Sequence, residues 1–392
     1  EILSVLVINS GSSSIKYQLV NPETGEAIAS GLVERIGEDE GHIAHSYNGT
    51  TTELNDPVPD HGAGLSTVLA LCEKVGPSLT DGSIDAVGHR IVQGGKYFDG
   101  PVVVDDEVEK LIEQLCPLAP LHNPPNLAGI VVARKLLPQV PHIAVFDTAF
   151  FQGLPGEAAT YALDREVAEK YEIRRYGAHG TSHQYVSGQV AKLLGGGLKQ
   201  VVLHLGNGAS ASAVVDGKAV ETTMGLTPLE GLVMGSRTGD IDPAVVFHLA
   251  RVAGMSIDEI DNLFNRQSGM KGLTGENDMR QVWKLADEGN ENAQEALDVY
   301  VHRLLKYVGA YAAIMNGLDT LTFTAGAGEN DERLRAAVVD RLSGFGVKLD
   351  EAKNAERSKE ARVISTEDSS VKVLVVPTNE ELAIAHQAMT LV

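Results

Sequence analysis

The sequence predicts an α/β protein built from two similar halves. Four apolar, β-branched runs are typical of strands buried on both faces, and they lie within residues 4–14, 200–210, 320–330 and 371–381. The first two runs lead into further β patterns, which predicts hairpins, and the last two lead into helical patterns. Residues 5–15 also align with residues 202–212, which indicates an internal duplication.

Helical segments and one proline-rich loop complete the predicted order of elements. A stripe of apolar residues with a period of 3.6 predicts a helix over residues 291–317. Shorter helices are predicted over 105–116 and 126–137, and the four prolines of PLAPLHNPP between them predict an extended loop. We place the boundary between the two halves near residue 150.

Composition excludes several classes of partner. The formal net charge of −21 argues against nucleic acid or an anionic membrane surface, although local arginines could still hold a small anion. No apolar stretch approaches the roughly 20 residues that span a bilayer, and the first apolar run lacks the features of a signal peptide. Cys72 and Cys116 have no ligand spacing, so we expect free thiols and a cytoplasmic protein.

Several strand-like runs end in turns whose residues are typical of phosphate-binding loops. Residues 9–14, NSGSSS, and residues 326–330, GAGEN, combine glycines with hydroxyl and amide donors. Neither is a Walker A loop, because Lys16 follows serine outside that motif's frame. One such turn is usually only a turn, but four polar turns at strand ends favour nucleotide binding across those ends.

Four charged residues are placed where anion-binding or catalytic groups are common. Arg90 and Arg237 lie among small residues, where a guanidinium could clamp carboxylate or phosphoryl oxygens; a structural salt bridge is the alternative for each. Asp147 ends a strand-like run, a position shared by catalytic carboxylates and turn caps. Glu380 begins the last helix, where an acid favours the helix dipole and could also hold Mg²⁺.

The stretch GAHGTSH, residues 177–183, contains two histidines four residues apart. On a helix they could share a zinc ion, but the glycines flanking His179 disfavour a helix there. We therefore predict that His179 is a loop donor to a charged transition state, and that GTSH forms a turn and cap before a helix. His183 is predicted to be structural. Two other histidines are interpreted as core residues, His122 and His204.

These segments together resemble the acetate kinase family, a branch of the superfamily that includes sugar kinases, chaperone ATPases and actin. The motifs, in order, are NSGSSSIK, GHRIVQGG, PLAPLHNPPN, VFDTAF, RRYGAHGTSH, HLGNGAS, GLVMGSRTGDIDP, FTAGAGEN and PTNEE, and they cover essentially the whole chain. The resemblance implies two domains, each with a ribonuclease H-like core of a mixed sheet flanked by helices, in the duplicated actin-like ATPase fold.

The resemblance also implies a domain assignment and a reaction. Residues 1–150 with a C-terminal helix of about 380–392 would form the N-terminal domain. Residues 151–379 would form a C-terminal domain that carries most of the nucleotide site and a homodimer interface. The implied reaction is reversible phosphoryl transfer from ATP to acetate, giving ADP and acetyl phosphate, with Mg²⁺ or alternatively Mn²⁺. Because a carboxylate is already a nucleophile, we expect direct in-line attack without a general base.

Residue roles follow from positions in the motifs. Arg90 and Arg237 would hold the carboxylate and the phosphoryl group, His179 would stabilise the transition state, and Asp147 would be the essential carboxylate. The metal and phosphates would be served by Asn9 and Glu380. The acid pocket would be lined by Val92, Leu121, Ala178 and Pro228. The nucleotide would be held by Lys16, His204, Leu205, Gly206, Asn207, Gly208, Asp278, Met279, Arg280, Gly326, Ala327, Gly328, Glu329 and Asn330.

The chain departs from the family pattern at three positions. The family usually has phenylalanine at Ala178, threonine at Ser236 and histidine at Gln93. Loss of a ring at Ala178 would enlarge the acid pocket and favour propionate or another short-chain acid, unless a neighbouring side chain fills the space. A non-catalytic nucleotide-binding protein of the actin or chaperone kind is disfavoured, because it would not need both arginines and His179.

Overall fold

A computed structural model describes residues 3–392, which divide into two units. The first unit runs to Gln152 and also includes Asn379–Val392, and the second unit is Gly153–Thr378. Residues 1 and 2 of the predicted first domain lie outside the described residues.

The strands and helices are numbered in chain order. The strands are β1 Val5–Ser10, β2 Ile15–Val20, β3 Ala27–Glu34, β4 His42–Tyr47, β5 Thr50–Leu54, β6 Ala86–Ile91, β7 Val102–Val103, β8 His142–Phe146, β9 Lys199–Leu205, β10 Ala209–Val215, β11 Lys218–Thr222, β12 Thr320–Thr324, β13 Arg362–Val363 and β14 Lys372–Val375. The helices are α1 His61–Val75, α2 Asp106–Gln114, α3 Asn123–Leu136, α4 Gly156–Ala159, α5 Arg165–Lys170, α6 Gly180–Leu194, α7 Ala244–Val252, α8 Ile257–Arg266, α9 Gly269–Thr274, α10 Met279–Asp287, α11 Glu291–Met315, α12 Ala325–Asn330, α13 Glu332–Asp340, α14 Glu351–Ala355 and α15 Glu380–Met389.

The first unit is built on an eight-stranded mixed sheet in the order β5-β4-β3-β2-β1-β6-β8-β7. Strands β1, β6 and β8 are parallel, and the remaining neighbours are antiparallel. Both faces of β1 are buried, because alternate side chains point to opposite faces. Val5 and Val7 pack in a cluster with Ile384 of α15, whereas Leu6 and Ile8 pack in a cluster with α1 and α3.

The second unit repeats this arrangement around a six-stranded sheet in the order β11-β10-β9-β12-β14-β13. Strands β9, β12 and β14 are parallel to one another, and β9 is also the first strand of an antiparallel meander formed by β9, β10 and β11. Leu203 belongs to a core cluster with α11, and its neighbour Val202 belongs to a cluster with α6. Both sheets therefore join three parallel strands to a meander of antiparallel strands, with five strands in the meander of the first sheet (β1–β5) and three in that of the second (β9–β11). The predicted hairpins and mixed α/β fold class are confirmed.

Four local predictions are wrong. The proline segment is not an extended loop: Pro117 lies in a 3₁₀ turn, and Pro124 and Pro125 occupy the first turn of α3, where a missing N–H costs nothing. Helix α6 already begins at Gly180, so GTSH is its first turn. The predicted turn at 326–330 lies within helix α12. His122 is exposed at the start of α3 and is not a core residue.

Two findings bear on the predicted environment of the chain. Cys72 and Cys116 are both free thiols, and Cys72 is buried. Among the helices of residues 3–392, not one combines the length and the apolar character that crossing a bilayer requires.

Candidate active site

An arginine–aspartate pair lies at the carboxyl ends of two neighbouring parallel strands in the first unit. Arg90 lies near the end of β6, and Asp147 directly follows β8, whose residues pair with β6 in register. Arg90 donates from Nε to Asp147 Oδ1 over 3.1 Å and from Nη2 to Oδ2 over 2.5 Å. The fork-to-fork geometry fixes the guanidinium in one plane.

Burial makes this pair electrostatically strong. The Asp147 side chain is 2% exposed and that of Arg90 is 25% exposed. The Asp147 charge raises the pKa of Arg90, against the opposing effect of burial, and the Glu380 and Glu381 carboxylates add to it. Because both oxygens of Asp147 are engaged by Arg90, the carboxylate acts as a fixed counter-charge. The Nη1 group of Arg90 is not used in this pair.

Two asparagines of α3 hold the loop that follows Arg90, and neither is among the residues predicted from the sequence. Asn126 accepts from Val92 N over 3.0 Å and donates to Ser10 O over 2.8 Å, so it ties the end of β1 to this loop. Asn123 accepts from Gln93 N and donates to Gln93 O, each over 3.0 Å. The only sequence signal is the HNPPN stretch, in which two asparagines flank a pair of prolines.

The first unit contains oxygen ligands that fit Mg²⁺. Burial, followed by repulsion from Asp147, raises the pKa of Glu380 to about 7, so its ionised form lacks stabilisation that a cation would supply. No hydrogen bond joins the Glu380 carboxylate or the Asn9 amide to another described residue. Residues 3–392 hold no group of three or more His, Cys, Asp and Glu suited to a metal. This set fits Mg²⁺, which takes one or two carboxylates and completes its shell with water and phosphate oxygens.

In the second unit, His179 adopts a backbone conformation that is rare for residues with a side chain. It is the N-terminal cap of α6, with φ 59° and ψ 19° in the left-handed region. Its ring stacks on His204, with centroids 4.3 Å apart, and its Nδ1 lies 2.9 Å from Ser210 Oγ. Strained backbone of this kind persists where the surroundings hold it, and it concentrates at functional sites.

His204 is held in place from its other side. The core interpretation is confirmed, because His204 is 6% exposed within β9. Its Nδ1 lies 2.8 Å from Ser182 Oγ, and Ser182 Oγ lies 2.7 Å from Thr378 Oγ1. Stacking against this fixed ring sets the plane of the His179 imidazole.

Arg237 is partly buried and makes no ion pair with an acidic side chain among residues 3–392. Its Nη1 donates to Pro228 O over 3.0 Å, and Met234 Sδ lies 3.8 Å away. Burial lowers the pKa of Arg237. Arg90 and Arg237 therefore differ: the charge of Arg90 is neutralised within the fold, whereas that of Arg237 is available to an anion.

Gly208 separates His179 from Arg237. A Cβ at residue 208 would lie 3.5 Å from His179 Nε2 and 3.6 Å from Arg237 Nη1. The absence of a side chain leaves space beside one histidine nitrogen and one guanidinium nitrogen. An anionic oxygen in that space would lie beside both nitrogens, an arrangement that can stabilise negative charge.

The other predicted nucleotide residues lie on the second unit, except Lys16. Asp278 caps α10 and pairs with Arg280 over 2.8 Å at the surface. Helix α12 carries residues 326–330, and the buried Arg335 donates to the carbonyl oxygens of Gly328 and Glu329. In the first unit, Lys16 lies 3.8 Å from Glu381. The nucleotide assignments remain predictions.

The predicted acid-pocket residues belong to different units. Val92 and Leu121 lie in the first unit, and Ala178 and Pro228 lie in the second. Leu121 is 61% exposed, whereas Ala178 is 4% exposed within the hydrophobic core of its unit. The pocket therefore remains a prediction.

Comparison with known proteins identifies the family. The acetokinase family model matches residues 4–386. An acetate kinase from Leifsonia xyli is 57% identical over 389 residues, with 98% of each chain covered. A Porphyromonas gingivalis acetate kinase structure matches with a TM-score of 0.94 at 42% identity, covering 99% of both chains. A propionate kinase from Francisella tularensis matches with a TM-score of 0.92 at 40% identity, covering 99% of this chain and 100% of that one. The chain belongs to the acetokinase family.

Proposed function

We propose that the protein transfers the γ-phosphoryl group of ATP reversibly to acetate, giving ADP and acetyl phosphate. The observation that carries the proposal is the space at Gly208, flanked by His179 Nε2 and by Arg237, a guanidinium with no carboxylate partner among residues 3–392. Membership of the acetokinase family supports the same reaction, as does the 57% sequence identity to an acetate kinase.

The residues of the second unit would neutralise the transferring group. In phosphoryl transfer, negative charge spreads over three equatorial oxygens, and the protein contributes mainly position and electrostatic stabilisation. Arg237 would supply the positive charge and His179 a hydrogen-bond donor. Both are fixed before the reaction, Arg237 by Pro228 O and His179 by Ser210 and His204, so little reorganisation is needed.

Arg90 would hold the carboxylate substrate. Asp147 occupies Nε and Nη2, which leaves the Nη1 group to donate to an acid oxygen. Asp147 would act by orienting Arg90, since both its oxygens are engaged. An acetate ion is already a nucleophile, so its oxygen can attack the phosphorus directly, and ADP leaves without proton transfer to the acid.

Mg²⁺ would be held by Glu380 and Asn9, in keeping with their oxygen donors. Bound there, the ion would neutralise charge on the phosphate oxygens.

A hydroxamate assay tests the proposed function. Incubation with ATP, Mg²⁺, acetate and hydroxylamine should give acetyl hydroxamate, because hydroxylamine captures acetyl phosphate. Arg237→Ala should abolish the product, whereas Arg341→Ala, at an exposed arginine of the same unit outside α7, should not. Hydrolysis of ATP without any hydroxamate would overturn the proposal.

Propionate or another short-chain acid is the alternative substrate. The small side chain of Ala178 favours a larger acid pocket and therefore propionate. Its burial in the core favours acetate instead, because neighbouring side chains would then fill the space that a phenylalanine ring would occupy. A panel of acids in the same assay distinguishes the two.

A homodimer formed through the second unit is also proposed. Helix α7 has an apolar sequence, AVVFHLARV, yet none of its residues is buried. Phe247 is 54% exposed and Val252 is 73% exposed, and Ile257, at the start of α8, is 82% exposed. An apolar patch of this kind marks an interaction surface, and a second copy of the chain would cover it. Because ATP is the co-substrate and both cysteines are thiols, the cytoplasm is the proposed location.

A further inference from the structure

A chain of hydrogen bonds leads from His179 into the core of the second unit. His179 Nδ1 lies 2.9 Å from Ser210 Oγ, which lies 2.8 Å from His183 Nε2. His183 Nδ1 in turn lies 2.6 Å from Ser212 Oγ. Ser210, His183 and Ser212 are all fully buried. The chain therefore links a histidine beside the Gly208 space to a second histidine that no ligand can reach.

Two regular periodicities build this chain. His179 and His183 are four residues apart at the start of α6, so they lie on one face of its first turn. Ser210 and Ser212 are two residues apart on β10, so their side chains point to the same face of the sheet. The hydroxyl of Ser210 bridges the two histidine rings, and that of Ser212 ends the chain.

The protons of the chain are coupled, because each hydroxyl has one hydrogen and a neutral imidazole has one N–H. Burial, aided by His204, lowers the pKa of His183 well below its ordinary value, so this ring is neutral. If Ser212 donates to Nδ1 of His183, then Nε2–H of His183 donates to Ser210. The single hydrogen of Ser210 is then directed to Nδ1 of His179, and the His179 proton is on Nε2.

The reverse direction fits the surroundings of His179 less well. Ser210 would donate to His183 and accept from Nδ1–H of His179, so that Nε2 of a neutral His179 ring would carry no proton. The lone pair of an unprotonated nitrogen would repel a phosphoryl oxygen in the Gly208 space. A doubly protonated ring would place a second cation near Arg237 and at the positive end of the α6 dipole.

We propose that Ser210 and His183 are positioning residues that hold His179 in the Nε2–H tautomer, with that N–H directed at the space beside Gly208. Ser212 sets the direction of the chain. The catalytic consequence rests on the proposed phosphoryl transfer, whereas the tautomer itself can be measured independently of activity. His183, predicted to be structural, thus acquires a role in the reaction through Ser210.

Nitrogen NMR of the histidine rings tests the tautomer independently of activity. In protein labelled with ¹⁵N-histidine, with signals assigned by His179→Gln, Nε2 of His179 should have the shift of a protonated nitrogen and Nδ1 that of an unprotonated one. Ser210→Ala and Ser212→Ala should both move these shifts toward a mixture of tautomers. Ser187→Ala is the matched control. Ser187 is also a buried serine, in α6, but its hydroxyl donates to Gln184 O and takes no part in the hydrogen-bond chain of His179.

Kinetics supply the second readout. Ser210→Ala should lower kcat about 10- to 100-fold, as loss of a group that fixes a histidine tautomer does elsewhere, with KM for ATP and acetate within twofold. Ser212→Ala should give a smaller loss of kcat, and it keeps the test valid if Ser210→Ala fails to fold.

The outcomes separate the two proposals. A wild-type His179 protonated on Nδ1 alone, or shifts and kcat that both serine variants leave unchanged, would overturn the positioning role. A wild-type protein with the Nε2–H tautomer but no acyl phosphate production would support the assigned tautomer and overturn the proposed reaction.

Discussion

Arg90 and Arg237 should differ in what their removal does to stability, although both should be required for activity. Arg90→Ala leaves the buried carboxylate of Asp147 without its counter-charge, whereas Arg237→Ala strands no acidic group among residues 3–392. Removing one partner of a buried ion pair costs about 3–5 kcal/mol, and the partial exposure of Arg90 favours the lower end, about 3 kcal/mol. For a domain of this size, that is a fall in Tm of about 6–12 °C.

Arg237→Ala should leave the Tm within about 2 °C of wild type, because burial already disfavours its charge in the folded protein. Both variants should lose at least about 10³-fold in kcat, the lower end of what an arginine contributes to phosphoryl transfer. Thermal unfolding followed by circular dichroism and the hydroxamate assay measure the two effects. The double variant Arg90→Ala/Asp147→Ala should recover part of the lost stability. Equal losses of Tm in the two single variants would refute this difference between the arginines.

Four further predictions address other parts of the molecule. Lowering the pH from about 6.5 to 5.5 should reduce the free energy of unfolding by about 1 kcal/mol through His89, because burial lowers the pKa of His89 and only the unfolded state takes up the proton. In urea unfolding, the free energy of unfolding of His89→Gln should depend less steeply on pH than that of the wild type. An unchanged dependence on pH contradicts this. Gly208→Ala should fold normally, because its methyl makes ordinary contacts, yet lose about 100-fold in kcat; full activity would show that the space is not used. Ala178→Phe should raise the ratio of kcat/KM for acetate over propionate about 5-fold or more if the pocket is enlarged, and an unaltered ratio rejects the enlarged pocket. Phe247→Glu should shift the protein from dimer to monomer in light scattering, and a wild-type monomer would reject the dimer.

Strand positions could be predicted from the sequence because they depend on local patterns. The runs that became β1, β9, β12 and β14 are apolar on both faces, and each is buried as expected. Helix starts were less predictable. Glycine and proline propensities argued against helix at Gly180 and Pro124, but in a first turn neither the missing side chain nor the missing N–H matters much.

The candidate site shows the same division. Arg90 and Asp147 could be named from the sequence, since each stands at the end of an apolar run, but their bidentate pairing depends on strands more than fifty residues apart. The Ser210–His183 chain could not be predicted, because it requires the first turn of α6 to lie beside β10. A local sequence pattern does not determine which distant elements pair with each other.

The stereochemical course at phosphorus tests the central claim most directly, namely that acetate attacks the γ-phosphorus of ATP in one in-line step. The experiment uses ATP that is chiral at the γ-phosphate through oxygen isotopes and sulfur, with acetate as acceptor. A single direct displacement predicts inversion of configuration in the acetyl phosphate formed. Retention would require a phosphorylated protein intermediate and would contradict the account.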